Sequence, residues 1–183
     1  MQSRNRQIAA AIDNAGGVVF RRMLFSIFLG LSFFSVISNA QGPIQPVQWS
    51  GSAKPGTPLK RGSKVAIELS AEVQSGWHVY GLSQAAGGPT PLQVTLDPNE
   101  IVRSAGAVSG TPPLKKHDSS FDLETESYLG TFTLSVPAQV NDHPAAGKQV
   151  VSVAVRFQAC SDRTCLPPRT VHVSVPIEIL SGT

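Results

Sequence analysis

The run Val65-Ala-Ile-Glu-Leu-Ser-Ala-Glu-Val73 carries the clearest structural signal in the chain. Val65, Ile67, Leu69, Ala71 and Val73 alternate with Ala66, Glu68, Ser70 and Glu72, a period of two that puts one face on a core and the other in water. This pattern predicts a half-buried β-strand. It recurs in Leu92 to Leu96, Tyr128 to Val136, Val151 to Phe157 and Val171 to Ile179, with Trp77 to Tyr80 and Ile101 to Val108 as further candidates. Between them lie Gly87-Gly88-Pro89, Asp97-Pro98-Asn99, Gly110-Thr-Pro-Pro113, Asn141-Asp-His-Pro144 and Pro167-Pro168, where fixed φ angles and missing donors interrupt a ladder. No segment after Ala40 shows a period of 3.6. Seven or so short strands in this length predict an all-β fold, an immunoglobulin-like antiparallel β-sandwich, with a closed barrel as the alternative. Pro176, inside the last strand, predicts an edge position for it.

The composition agrees. The 183 residues include 16 glycines and 14 prolines, 15% are charged against a usual ~25%, and 41% are hydrophobic. Mean hydropathy is +0.02, which suits a chain that builds a core and excludes a multi-span membrane protein. The net charge of +3 is concentrated at the start of the chain. Arg4, Arg6, Arg21 and Arg22 precede Gln41, and from there eleven basic residues face eleven acidic ones. A nucleic-acid partner therefore has no electrostatic support.

Arg21-Arg22, the apolar run Met23 to Ile37, and Ser38-Asn39-Ala40 read as the positive, apolar and small-residue regions of a secretory signal peptide. The run has about 15 residues, short of the roughly 18 to 20 that cross a bilayer. The expected organisation is a leader over residues 1–40 cleaved after Ala40, an extended lead-in over 41–60 with a short strand near Val47 to Ser50, and a β-sandwich domain over 61–183. Export would place the chain where disulfides persist.

That compartment matters for Cys160 and Cys165, which flank the turn of an expected hairpin with four residues between them. Such a loop can bring two Cα atoms within the roughly 4.4 to 6.8 Å that a disulfide needs. Closing so small a ring stabilises by only about 2 kcal/mol in the chain-entropy model, against more than 4 for a ring of about a hundred residues. From the residues alone the bridge is either a staple or a reversible couple. The pair is not Cys-x-x-Cys, and no helix N-terminus follows to favour a thiolate.

Three stretches carry a resemblance: Val155-Arg-Phe-Gln-Ala-Cys160-Ser-Asp-Arg-Thr-Cys165-Leu-Pro-Pro168, Gly76-Trp-His-Val-Tyr80, and His117-Asp-Ser-Ser-Phe121-Asp-Leu-Glu-Thr-Glu-Ser-Tyr128. In matching order they resemble the amino-terminal domain of the DsbD thiol:disulfide interchange proteins. The resemblance implies a periplasmic immunoglobulin-like domain that passes electrons between thioredoxin-like proteins. It implies that Cys165 forms the mixed disulfide with partners, that Cys160 resolves it, and that Phe121 is the cap-loop aromatic covering the couple. The chain departs from the family pattern around the cap, with Ser119-Ser120 where acidic residues stand in other members and Asp122 where a second aromatic stands. Because full-length members continue into a membrane electron channel and this chain ends at Thr183, the electron donor is expected to be a separate membrane protein. The alternative function is a non-catalytic immunoglobulin-like interaction module with a permanent disulfide.

The remaining residues point to no cofactor. His78, His117, His143 and His172 lack metal-ligand spacing, and no Ser-His-Asp arrangement or phosphate-cradling glycine loop stands out. Trp77 is expected to pack on the core and His78 to face the other way, toward solvent or a hydrogen-bond partner, while Lys115-Lys116 reads as a solvated loop.

Overall fold

The structure is a computed structural model that describes residues 44–181; the expected signal peptide and its cleavage site lie outside the described residues. Twelve strands follow in chain order: β1 (Val47–Lys54), β2 (Lys64–Val73), β3 (Trp77–Tyr80), β4 (Gln93–Leu96), β5 (Val102–Ser104), β6 (Ser109–Gly110), β7 (Leu114–Asp118), β8 (Leu123–Tyr128), β9 (Thr131–Val140), β10 (Gly147–Phe157), β11 (Ala159–Ser161) and β12 (Arg169–Ile179). They form three antiparallel sheets. One has the order β1-β2-β9-β5, with β6 also on β9; the second is β12-β10-β4; the third is β11-β3-β8-β7. The all-β expectation holds.

The period-two pattern does the sorting. Val65, Ile67, Leu69, Ala71 and Val73 of β2 are buried beside Phe132, Leu134, Val136, Ala138 and Val140 of β9, while Val151, Val153, Val155 and Phe157 of β10 and Val173, Val175, Ile177 and Ile179 of β12 supply the opposing layer. Gly51 shows how closely the layers approach. A Cβ there would stand 2.6 Å from Val175 Cγ2, so only glycine lets β1 pass over β12 at this point. Trp49 fills the space beside it, with its ring centroid 5.5 Å from that of Phe132 and 5.6 Å from that of Phe157. The lead-in strand near Val47 thus continues to Lys54 and pairs with β2 along its whole length.

Several boundaries differ from the sequence pattern for local reasons. The run Tyr128 to Val136 is two strands in two sheets: the chain leaves β8 at Tyr128, turns at Gly130 with φ of 60°, and enters β9. β9 then runs through Pro137 to Val140. Pro137 O accepts from Ala105 N at 2.9 Å, and a strand residue's N and O share an edge, so the missing donor falls in the gap between β5 and β6. Ile101 to Val108 likewise contains only the short β5. Lys115-Lys116 are in β7, not in a loop; β7 is an exposed edge strand, which carries no apolar alternation to read. β12 pairs with β10 alone in its sheet, the edge position expected from Pro176.

Candidate functional site

β10 and β12 pair over eleven residues, from Gly147 with Ile179 to Phe157 with Arg169, and the chain between them makes an excursion that carries both cysteines. Ser161 N donates to Thr164 O at 2.8 Å, and Leu166 N to Ala159 O at 2.9 Å. Cys160 and Cys165 face each other between these two bonds, at the narrow position of an antiparallel pair, with Cα atoms 4.0 Å apart. The two form a disulfide. Ser161 Oγ closes the turn by accepting from Arg163 N and Thr164 N at 3.3 and 3.2 Å. The two cysteines differ in exposure: Cys160, on β11, is 1% exposed, whereas Cys165, on the chain returning toward β12, is exposed.

Register brings the rest of the site to the same sheet face. Cys160 is opposite His78 on β3, Tyr80 is opposite Ser127 on β8, and Thr125 is opposite Lys116 on β7. Since side chains two apart share a face, Cys160, His78, Tyr80, Thr125, Ser127, Lys116 and Asp118 project together. They line a groove of about 470 Å³ that also borders Cys165 and Leu129. Thr125 and Ser127 are the buried polar residues among those described, and both lie in it. Thr125 Oγ1 donates to Lys116 O at 3.4 Å.

The β7–β8 hairpin closes one end of the groove through the turn Ser119 to Asp122. Asp118 organises it. Its Oδ1 accepts from Ser120 N at 2.9 Å, its carbonyl from Phe121 N at 3.2 Å, and its Oδ2 from the Tyr80 hydroxyl at 2.9 Å. Asp122 completes the turn at φ of 53°, the left-handed region that aspartate tolerates better than most residues, and His117 Nε2 lies 3.4 Å from its Oδ1.

These contacts set the ionisation of the groove. Burial pushes the Asp118 carboxyl up, but the hydrogen bonds from Ser120 and Tyr80, with a smaller contribution from His78, hold it below its ordinary value. Burial, then the hydrogen bond to Asp118 and its charge, push the Tyr80 phenol well above the usual range. Burial lowers His78 below 6.5, a shift that Asp118 and Asp162 oppose and Lys116 reinforces.

The residues singled out from sequence are not all in one place. Cys160 and Cys165 are joined. Phe121 is half-buried and lies outside the groove lining, with its ring edge-on to Tyr80 at 6.0 Å. Trp77 packs partly on the core as expected, and also borders the groove. His78 does not face open solvent: it is half-buried in the groove with its ring edge-on to Tyr80 at 5.0 Å, because β11 covers the strand edge beside it. Sequence reasoning missed Asp118 and Tyr80, although Gly76 to Tyr80 was itself part of the resemblance. The fold also gathers a serine, a histidine and an aspartate that spacing did not reveal: Asp97 Oδ2 lies 2.5 Å from Ser152 Oγ and 2.7 Å from His172 Nδ1. There the serine donates to the carboxylate instead of the imidazole, so nothing activates it as a nucleophile.

Comparison with known proteins places the chain in a family. No curated protein sequence matches the chain. Among solved structures, the DsbD N-terminal domain of Neisseria meningitidis in its reduced form is 16% identical, with 60% of this chain and 74% of that one covered and a TM-score of 0.42. The N-terminal periplasmic domain of ScsB from Proteus mirabilis is 15% identical over 70% of this chain, with a TM-score of 0.44, and the match spans 44% of that chain. The family model for the N-terminal region of the thiol:disulfide interchange protein DsbD matches residues 52–176, which include both cysteines, Phe121 and every strand that lines the groove. The chain therefore belongs to the DsbD N-terminal domain family.

Proposed function

We propose that this domain performs thiol-disulfide exchange in the periplasm, relaying electrons through the Cys160/Cys165 couple between thioredoxin-like partners. The observation that carries the reading is the unequal burial of the two bridged cysteines: Cys165 is exposed, where a partner can reach it, and Cys160 is buried. Family membership supports the exchange chemistry.

With the couple reduced, the Cys165 thiolate attacks a partner disulfide, forms the mixed disulfide and releases one partner thiolate. Cys160, giving up its proton, then attacks Cys165 Sγ; the Cys160–Cys165 bond forms, the bond to the partner breaks, and the second partner sulfur leaves with the electron pair. The partner gains two electrons and the domain returns to the bridged state. Phe121 caps the couple from the β7–β8 turn and limits access by small oxidants and thiols.

The test is covalent capture. Cys160→Ala leaves Cys165 without its resolving mate, so this variant should accumulate mixed disulfides with thioredoxin-like proteins in its native periplasm, and Cys165→Ala should accumulate none. The reduction potential should fall among cellular dithiol carriers, between about −120 and −270 mV. A potential below about −300 mV with no captured partner would make the bridge a permanent staple in an interaction module.

A further inference from the structure

Resolution of the mixed disulfide poses a proton problem that the groove itself addresses. Cys160 is 1% exposed, and a thiol has to shed its proton to act as the attacking sulfur. It must lose a proton where water has little access. Resting on the exchange reading above, we propose that His78 is the general base that takes the Cys160 proton as Cys160 attacks Cys165 Sγ.

Register supplies the geometry. His78 and Cys160 are directly opposite on β3 and β11, project to the same face, and both line the groove that Cys165 borders. Directly opposed residues have Cβ atoms about 4.5–5.5 Å apart, within reach of an imidazole and a thiol. The neighbours leave His78 the proton-accepting role. On its own strand, Tyr80 is pushed toward its protonated form by burial and by Asp118. From β7, the Asp118 carboxylate is occupied by Tyr80 and Ser120 and held below its ordinary value, which makes it a weak base. Lys116 on β7 and Asp162 in the turn after β11 act on His78 in opposite directions, and His117 is turned toward Asp122. Burial keeps the His78 ring neutral near pH 7, the form that accepts a proton.

The proton balance closes. The thiol proton passes to His78 as the new S–S bond forms, and the imidazolium returns it to the departing partner thiolate. In the opposite direction of electron flow, the same imidazolium protonates Cys160 as it leaves.

The experiment uses the reduced full chain and 5,5′-dithiobis(2-nitrobenzoate) as the probe disulfide. Attack by Cys165 releases a first equivalent of coloured aryl thiolate, and resolution by Cys160 releases a second. The aryl thiolate leaves without needing a proton, so the second phase reads base assistance alone. His78→Phe keeps a ring against Tyr80 and removes the base; it should slow the second phase about 10²-fold, the low end for general-base catalysis, and leave the first unchanged. In the unaltered chain the second phase should fall on acidification through an ionisation below pH 6.5 that is missing from the variant. His78→Gln provides the same readout with a polar replacement, should the phenylalanine variant fold poorly. An unchanged second phase, or equal slowing of both, overturns the proposal. Release of only one equivalent by the unaltered chain instead defeats the exchange reading on which it rests.

Discussion

At the scale of single residues, Asp118 and Tyr80 give the proposed cap its footing. The Asp118 carboxylate accepts from Ser120 N and from the buried Tyr80 hydroxyl, while its main-chain carbonyl accepts from Phe121 N, so the turn is tied to the groove floor. Phe121 rests on the outer edge of the same tyrosine. Phe121→Ala should remove the cover but not its support: reduction of the disulfide by dithiothreitol should become several-fold faster with melting temperature nearly unchanged. Equal reduction rates in both proteins would remove Phe121 from the role of cap. Residues of this kind are hard to find in a sequence. The cysteines were visible because their spacing and the Leu-Pro-Pro that follows are distinctive, and Phe121 because it sits among polar residues. Asp118 and Tyr80 meet across 38 positions of chain, and only the pairing of β3 with β8 and β8 with β7 brings them together.

Among the elements, strands with one wet and one dry face announced themselves, and strands without that contrast did not. β2, β10 and β12 follow their alternation closely because each presents a buried and a solvated face. β7 is exposed nearly throughout and forms through its pairing with β8, so its composition reads as loop. β11 has three residues, too few to show a period, yet it positions Cys160. The join of β8 to β9 was obscured because the alternation continues in phase through the change of sheet at Gly130. Gly51 is the element-scale test of how tightly the layers meet. Gly51→Val would drive a branched side chain into Val175, and overpacking of this kind costs about 1–3 kcal/mol, read as a lower urea midpoint with unchanged slope. An undiminished midpoint would mean that β1 can lift away from β12 freely.

Across the whole molecule, stability should decline on acidification in two stages. His78 ionises at lower pH in the fold than in the unfolded chain, so below pH 6.5 the unfolded chain binds more protons and stability falls until the folded value is passed. The Asp97 carboxyl is held below 3.8 by hydrogen bonds from Ser152 and His172, and Asp118 is lowered as well. Their contribution is complete above the ordinary carboxylate range and is lost as pH falls through their folded values. A melting-temperature titration should therefore show a first decline below pH 6.5 that His78→Phe removes, and a second below about pH 4 that Asp97→Asn reduces. A curve flat down to pH 4 in the unaltered protein would contradict the first stage.

The bridged cysteines are confined to a short detour between two strands that are already zipped together along eleven residue pairs. Opening the bond relaxes a ring of only about six residues, worth about 2 kcal/mol in chain entropy, and leaves the pairing on both sides of the detour in place. In the proposed relay the scaffold would thus stand by while its two sulfurs change oxidation state, and the domain would be charged and discharged many times without ever having to refold.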